Sequence, residues 1–436
     1  MRGAGGAKGA GSICRVRKTS RAVLFLSSAF LAVTVLSSPS YAFYEYQGEG
    51  SYAEFRGFVR LTGGLNLNPD NRTLYDDSTD YFAGAVSRLL VDADLGEERH
   101  FEFNAYEFVY YSGAGTGSAD IAGTTPAEVE RSSALSWEQA RSPDTVAMLA
   151  VDRLNARLVR DRVDLTVGRQ AVNLATTFYF TPNDFFGPFA AQNFFRVYKP
   201  GVDAIRGEAR LGALSQLSVI GVLGYEPSPG SPNGWAADPG MDKSSLLARI
   251  STSTHGLEWA LLGGVVREKT VVGASLQGEV SQWLGVRAEG HYAAPEDGSM
   301  DDYVELSFGV EHNFTADLFV RGEFFYHGSG AGNEEGYGEE LFSTDLTLPY
   351  LARRYLAAGG GYRVTPLLTV DGLVAANLVD GSVLGAVNAL YSLSDESEVS
   401  IGLVVPVGED TPTGEDVDTE FGLYPVSANV EFRFYF

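Results

Sequence analysis

Charged side chains recur at every second position in several parts of this 436-residue chain. In the run RGEAR, from Arg206 to Arg210, three ionic residues alternate with two small ones. An extended strand places such alternating residues on one face. That face can carry a ladder of ion pairs or, where arginine prevails, a track for an anionic solute, because guanidinium binds carboxylate and phosphate in a fork. The residues that we assign to it are Arg56, Arg60, Arg88, Arg153, Arg157, Arg206, Arg210, Arg287, Arg321, Glu208, Glu279, Glu289, Glu305 and Glu323.

Acids and arginines are nearly balanced on this face, so both interpretations stay open. Over the whole chain acids prevail, with 56 Asp and Glu against 32 Lys and Arg and a net charge of −24. The surplus lies mainly between the alternating runs, for example in the acidic segment from Glu334 to Glu340. A chain of this charge is not expected to bind nucleic acid through phosphate contacts. If it conducts ions, we expect a weak cation preference that fades as salt screens the carboxylates.

No catalytic constellation stands out in the sequence. None of the histidines lies in a recognisable nucleophile motif; they are His100, His255, His291, His312 and His327. The single cysteine, Cys14, falls in an N-terminal segment that we expect to be removed, so thiol catalysis and thiolate metal sites are not expected. We therefore predict no catalytic residue, no metal site and no cofactor.

The elements that position the charged face are best seen at the C-terminal end. In residues 427–436, SANVEFRFYF, the aromatic residues Phe432, Phe434 and Phe436 alternate with polar and charged ones. An apolar face that no later segment covers, opposite a charged face, is expected of a barrel wall in lipid. An edge strand of a soluble sheet is the alternative. This end resembles the last strand of bacterial outer-membrane barrels, which implies that the three aromatic residues form an assembly signal.

Alternation predicts eighteen strands in all, each long enough to cross a bilayer when tilted. The clear segments begin at Phe55, Leu89, Val163, Leu214, Leu257, Val272, Val286, Val304, Leu318, Leu367, Val383, Val399 and in the C-terminal strand, and weaker ones lie around Phe103, Leu158, Ile205, Ile250 and Ala357. Every second junction is a tight turn, such as Arg160-Asp161 or Thr365-Pro366, and most of the others are longer. Short turns on one rim and long loops on the other are typical of outer-membrane barrels. The predicted fold is therefore an all-β transmembrane antiparallel barrel of eighteen strands, or of sixteen if two weak segments merge, with periplasmic turns and extracellular loops.

The N-terminal end predicts export. Residues 1–42 hold six basic residues and no acid, an apolar run from Ala22 to Leu36 and small residues at Ser40 and Ala42. These features are typical of a secretory signal peptide. We expect a signal peptide over 1–42 and a barrel over 43–436, with the first strand from about 53 and the last over about 424–436.

The junction between residues 173 and 199 is unusually aromatic for a loop in water. We expect it to fold inward and to narrow the pore, whereas packing on the outer rim or in a protomer interface is the alternative. The candidate constriction residues are Arg169, Asp184, Phe185, Phe186, Arg196 and Asp203. The segment from Pro126 to Arg141 is predicted to be weakly helical and to form a second plug or lid.

Three short motifs lie in or beside this loop: VGRQ at 167–170, TPNDFFGPF at 181–189 and KPGVDA at 199–204. They resemble a group of porin-like outer-membrane proteins that are similar in plan to the eighteen-stranded alginate-export barrels. The resemblance covers about forty residues and implies a channel in the outer membrane of a Gram-negative bacterium.

The function predicted from these observations is a porin for passive passage of small hydrophilic solutes or ions. The alternatives are an exporter of an anionic polysaccharide, a barrel that sheathes a partner protein, and an outer-membrane lipid-modifying enzyme. The expected partners are outer-membrane lipid and lipopolysaccharide, the outer-membrane assembly machinery and small solutes. The sequence predicts neither the substrate nor the oligomeric state.

Overall fold

The structure is a computed structural model that describes residues 44–71, 73–113, 129–281, 283–296, 298, 301–341, 350–409 and 417–436. The predicted signal peptide over 1–42 lies outside these described residues. In the described part of the chain, no helix combines the length and the apolar composition that crossing a membrane would require.

The described residues form twenty β-strands and a short α-helix, α1 (Tyr337–Leu341). The strands are β1 (Tyr44–Gly48), β2 (Ser51–Leu67), β3 (Thr79–Leu95), β4 (Arg99–Ser112), β5 (Ser136–Ser142), β6 (Thr145–Arg160), β7 (Val163–Gln170), β8 (Val202–Arg210), β9 (Ser215–Pro227), β10 (Trp235–Thr254), β11 (Leu257–Val266), β12 (Lys269–Ser281), β13 (Leu284–Pro295), β14 (Tyr303–Asn313), β15 (Leu318–His327), β16 (Arg354–Thr365), β17 (Leu368–Asn377), β18 (Val383–Ser394), β19 (Ser397–Val407) and β20 (Val426–Tyr435).

Eighteen of these strands close into one antiparallel barrel. Each of β2 to β4 and β6 to β20 pairs with its neighbour in the chain, and β20 pairs with β2 to complete the ring. The prediction of eighteen strands rather than sixteen is therefore confirmed. The two remaining strands were not predicted: β1 pairs only with β2, and β5 pairs only with β6.

The alternation of residue types along each strand separates an inner from an outer face. Large apolar side chains such as Leu61, Trp259, Val304 and Ile401 are exposed on the outer face, and the charged residues between them point inward. The large exposed apolar residues of the barrel strands thus face away from the centre, as a barrel in lipid requires.

The two rims differ as predicted. One rim carries tight turns, for example at residues 96–98, 161–162, 255–256, 366–367 and 395–396. The opposite rim carries the long connections, including residues 171–201, 328–353 and 408–425. We call these the short-turn rim and the long-loop rim.

The C-terminal residue takes part in closing the barrel. The backbone N–H of Phe436 donates to the carbonyl of Gly57 at 2.9 Å, and the N–H of Gly57 donates back at 2.7 Å. The Phe436 ring lies flat over Gly57, where a Cβ atom would come within 2.5 Å of two ring carbons. Of the other two aromatic residues of the proposed assembly signal, Phe432 is exposed on the outer face and Phe434 packs beside Phe436.

Strands β7 and β8 are short, and residues 129–142 complete the wall between their ends and the long-loop rim. On the side of β6 away from β4, residues 154–160 pair with β7 but residues 145–150 pair with β5. Next to β5, the carbonyls of Val129 and Glu130 accept the backbone N–H groups of Tyr225 and Asp203, both at 2.9 Å. We call residues 129–142 the wall segment.

The wall segment corrects the prediction of a helical plug between Pro126 and Arg141. In the described part, residues 133–135 form one 3₁₀ turn and Ser136–Ser142 form β5. The segment is extended because a tight turn at 143–144 lets it pair with β6, and this hydrogen bonding outweighs a weak helical preference.

Candidate functional site

All fourteen charged residues that the sequence assigns to one face lie on the inner face of the barrel. Each of the nine arginines among them has a carboxylate within ion-pair distance. Representative N···O distances are 2.6 Å for Arg56–Asp92, 2.7 Å for Arg88–Asp152 and 3.5 Å for Arg206–Glu208. Arg287 and Arg321 share one carboxylate, Glu311, at 3.4 and 3.3 Å. The inner wall is thus a set of paired charges, and no arginine of this set is left without an acidic neighbour.

Three of the five candidate glutamates do not face open water. Glu289, Glu305 and Glu323 are buried, with 1–3 % of their surface exposed. Glu305 accepts from His327 Nδ1 at 2.9 Å and from the hydroxyl of Ser329 at 3.2 Å. These residues are covered because the long connections fold onto the inner wall, a feature that alternation along a strand cannot reveal. Glu279, by contrast, is exposed in the lumen.

The connection between β7 and β8, residues 171–201, lies against the inner face, and we call it the lumen loop. Phe185 and Phe186 pack in a buried apolar cluster with inner-face residues of β10, β11 and β12, namely Leu247, Leu262 and Val271. The ring of Phe185 also meets His291 edge to face, with 4.9 Å between ring centroids. Because these two rings are buried against the wall, the aromatic loop does not expose them to water in the lumen.

The lumen loop reaches two separate parts of the wall. On β13 and β15, the guanidinium carbons of Arg287 and Arg321 lie 4.1 and 3.7 Å from the centroid of the Phe178 ring. On the wall formed by β20, β2 and β3, Arg433 lies 4.1 Å from the Phe195 ring, and Tyr198 stacks on Phe58 at 5.0 Å. Cation–π contacts of this kind contribute about 0.5–2 kcal/mol each. The loop therefore spans the lumen and is held at both ends.

Two charged residues hold the lumen loop in shape. Arg196 donates to the backbone carbonyls of Phe178, Ala190, Ala191 and Asn193. Asp184 is buried and accepts from Lys199 Nζ. Burial raises the pKa of Asp184, although the ammonium group beside it acts in the opposite direction. Both residues were predicted to lie at a constriction, and both lie in the loop that crosses the lumen.

Arg169 and Asp203, also predicted near the constriction, lie instead in the wall. Arg169 ends the regular part of β7, Asp203 begins β8, and Nε and an NH2 group of the arginine donate to the two carboxylate oxygens at 2.7 and 2.8 Å. The arginine also donates to the carbonyls of Val151 and Ser132, at 2.9 and 3.0 Å. Because Arg169 is 1 % exposed and its donors are used, it joins β7, β8 and the wall segment rather than facing a channel.

Two glycines of the motifs are required by close backbone approach. Gly168 of VGRQ has φ = +116°, and a Cβ atom there would lie 2.2 Å from the carbonyl oxygen of Leu154. Gly201 of KPGVDA approaches the carbonyl oxygen of Asp152, where a Cβ atom would lie at 1.9 Å. The two motifs are thus parts of one junction, at which the chain leaves the wall for the lumen and returns to it.

Asp152 also belongs to this junction, but the sequence pattern did not identify it. It binds Arg88 of β3 at 2.7 Å, Arg131 of the wall segment at 2.9 Å and the backbone N–H of Gly201 at 3.1 Å. The residue lies where a β-bulge shifts the register of β4 and β6. A count in steps of two passes over such a residue, because a bulge adds one residue to the period.

The connection between β19 and β20 also packs onto the inner wall. Its Glu420 is buried and accepts from the hydroxyl of Tyr355 at 2.5 Å, from Asn377 Nδ2 at 2.9 Å and from the backbone N–H of Leu351 at 3.2 Å. Burial raises the pKa of Glu420 to about 7, and hydrogen bonds from Tyr355 and Leu351 only partly offset it.

This pKa predicts that the docked segment 417–424 weakens as the pH rises. An undocked Glu420 has a pKa near 4.5, so its contribution is complete below pH 4.5 and is lost as the pH passes about 7. The difference corresponds to roughly 3 kcal/mol. Hydrogen exchange, corrected for its intrinsic pH dependence, should show less protection of these amides at pH 8.5 than at pH 5. Glu420→Gln should remove this dependence, and equal protection of the wild-type chain at both pH values would contradict the prediction.

Beside Arg287 and Arg321, which hold the Phe178 ring, a cavity of about 630 Å³ opens toward the short-turn rim. Its lining includes Glu258, Gln277, Glu279, Arg287, Glu311 and Arg321. Both signs of charge are present and most groups are paired, so the cavity is a hydrated vestibule without a dominant charge. Among the described residues, no three or more His, Cys, Asp or Glu side chains are grouped so that they could hold a metal ion.

No protein-family profile matches this sequence, and neither does any curated protein sequence. The fold, however, is similar to solved structures. The crystal structures of Acinetobacter baumannii OccAB4 and OccAB1 both align with a TM-score of 0.52 and 9% identity, over 89% and 88% of this chain and 99% and 96% of theirs. Pseudomonas aeruginosa OccK7 (OpdD) aligns with a TM-score of 0.51 and 10% identity, over 88% of this chain and 98% of that chain. At this identity the similarity establishes the fold, a single closed barrel that matches these proteins over nearly their whole length.

Proposed function

We propose that the protein is an outer-membrane channel for passive passage of small hydrophilic solutes or ions, and that the lumen loop sets the width of its path. The observation that carries this proposal is the distribution of apolar and charged residues over the two faces of the barrel. Its outer face is apolar, its inner face carries the ion-paired arginines and carboxylates, and one loop crosses the lumen. The fold is similar to that of the Occ proteins of known structure, which supports the barrel on which this proposal rests.

The geometry also bears on the alternatives. Pairing of each candidate arginine with a carboxylate supports the ladder of ion pairs over an arginine track, and hence weakens the case for an exporter of an anionic polysaccharide. A sheath would need a lumen wide enough for a partner chain, but the lumen loop and the β19–β20 connection occupy that space. The side chains of His100, His291 and His327 contact Asp94, Asn183 and Glu305, so none of these three histidines forms the serine–histidine pair that a lipid-modifying enzyme would need.

In this proposal the short-turn rim faces the periplasm and the long-loop rim faces the outside, as in other barrels of this class. The signal peptide over 1–42 would bring the chain to the assembly machinery, with Phe432, Phe434 and Phe436 as the signal that is read. Lipid and lipopolysaccharide would cover the outer face.

Deleting residues 175–191 is expected to raise the single-channel conductance in planar bilayers. The deletion removes Phe178, Phe185 and Phe186 but keeps the ion-paired wall. The control is the wild-type protein refolded in the same detergent, with closure of both barrels checked by the mobility shift between heated and unheated samples. An unchanged conductance would sink the idea of a constriction, and no conductance from either protein would contradict the channel itself.

A further inference from the structure

Two buried carboxylates of the inner wall bind the backbone of the lumen loop. Glu323 of β15 accepts from the backbone N–H groups of Phe178, Tyr179 and Phe180, at 2.9, 3.1 and 2.6 Å. Glu289 of β13 accepts from the N–H groups of Thr176, Thr177 and Asn183. Six amides within eight residues of the loop thus point at two side chains.

Such an arrangement is a main-chain anion cradle, in which successive N–H groups converge on one negative charge. The N–H groups of such a cradle usually bind the anion of a ligand, whereas here both anions are side chains of the protein. The glutamates are 1 and 2 % exposed, and no ion pair to a cation is found for either among the described residues. Main-chain donors therefore supply the compensation that a buried carboxylate needs.

The same two strands also hold the side chain of Phe178. Arg287 and Glu289 are two residues apart on β13, and Arg321 and Glu323 are two residues apart on β15, so each pair shares the inner face. The carboxylates bind the loop backbone and the guanidinium groups enclose the ring. The repeated Arg-x-Glu pattern is therefore a two-point grip on residues 176–183.

We infer that Glu289 and Glu323 are positioning residues that hold the lumen loop across the channel and so determine its conductance. The effect on conductance rests on the proposed function, whereas the position of the loop does not. It assigns to these residues a role different from that of the exposed charges of the wall, which face the solute directly.

The test compares Glu289→Gln, Glu323→Gln and the double variant with Glu279→Gln, which removes an exposed inner-face charge away from the loop. An amide side chain keeps the size but loses the charge that attracts the N–H groups. We expect amide exchange of residues 176–183 to become about 30-fold faster in each single variant, which corresponds to about 2 kcal/mol, and not to change in the control. The single-channel conductance of the Glu289→Gln and Glu323→Gln variants should rise and become noisier, and the double variant should show the larger change.

The two measurements separate the inference from the proposed function. Faster exchange with higher conductance supports both. Faster exchange with unchanged conductance supports the grip but overturns the loop as the element that sets the width of the path. Unchanged exchange in the double variant overturns the inference whatever the conductance. If the double variant does not form a closed barrel, the single variants decide, because each keeps one of the two carboxylates.

Discussion

Replacing Gly168 by alanine should prevent most of the protein from forming a closed barrel. The residue has φ = +116°, where a Cβ atom is strained, and that atom would also lie 2.2 Å from the carbonyl oxygen of Leu154. Backbone strain alone costs about 1–3 kcal/mol, and the contact with a fixed carbonyl adds to it. We expect a loss of more than about 4 kcal/mol, which few single substitutions cause.

A matched control lies on the next strand. Gly207 of β8 has open space around the position of a Cβ atom, so Gly207→Ala should refold as the wild-type chain does. Both variants are refolded from urea into detergent micelles, and the fraction of closed barrel is read from the mobility of unheated samples. Equal yields for Gly168→Ala and Gly207→Ala would show that the junction tolerates a side chain and that the contact is not rigid.

Arg169→Met should destabilise the barrel by about 3–5 kcal/mol, because it removes a fully buried cation and leaves Asp203, whose side chain is only 15 % exposed, without its ion-pair partner. The arginine makes two bonds to Asp203 and two to backbone carbonyls, and it joins β7, β8 and the wall segment. The measurement is the urea midpoint of unfolding in micelles. Hydrogen exchange should show that residues 129–135 lose protection first.

The control for this prediction is Arg157→Met, which removes from its pair with Asp164 an arginine that is 44 % exposed, on the same part of the wall. Such pairs contribute up to about 1 kcal/mol. Adding Asp203→Asn to Arg169→Met should recover part of the loss, since it removes the uncompensated charge. Similar midpoints for Arg169→Met and Arg157→Met would mean that the buried pair does not hold the junction together.

The barrel could be predicted from the sequence because lipid imposes one rule on every strand. Apolar residues must face outward, so a period of two is visible even where strands such as β8 and β16 are weakly apolar. Strands β1 and β5 were not predicted, because they pair on one side only and are not part of the closed wall in which apolar residues must face outward. In β5, the sequence SWEQARS offers a single large apolar residue, Trp137.

The interior was harder to predict. Charge alternation identifies Glu289 and Glu323 as inner-face residues, but not that a loop more than 100 residues earlier in the chain covers them. The motifs in and beside the lumen loop were found, but not that Arg169 and Asp203 lie in the wall, in β7 and β8. Their position depends on where β7 stops and on the left-handed backbone at Gly168, neither of which has a periodic signature.

The docking of the lumen loop has a consequence for the order of assembly. Its acceptors, Glu289 and Glu323, lie 106 to 145 residues downstream of the amides that they bind. The loop can therefore find its site only once β13 and β15 have been laid down beside their neighbours. An assembly intermediate in which β13 and β15 are not yet paired therefore has an undocked lumen loop, and a barrel closed around an undocked loop should be leakier than the finished protein.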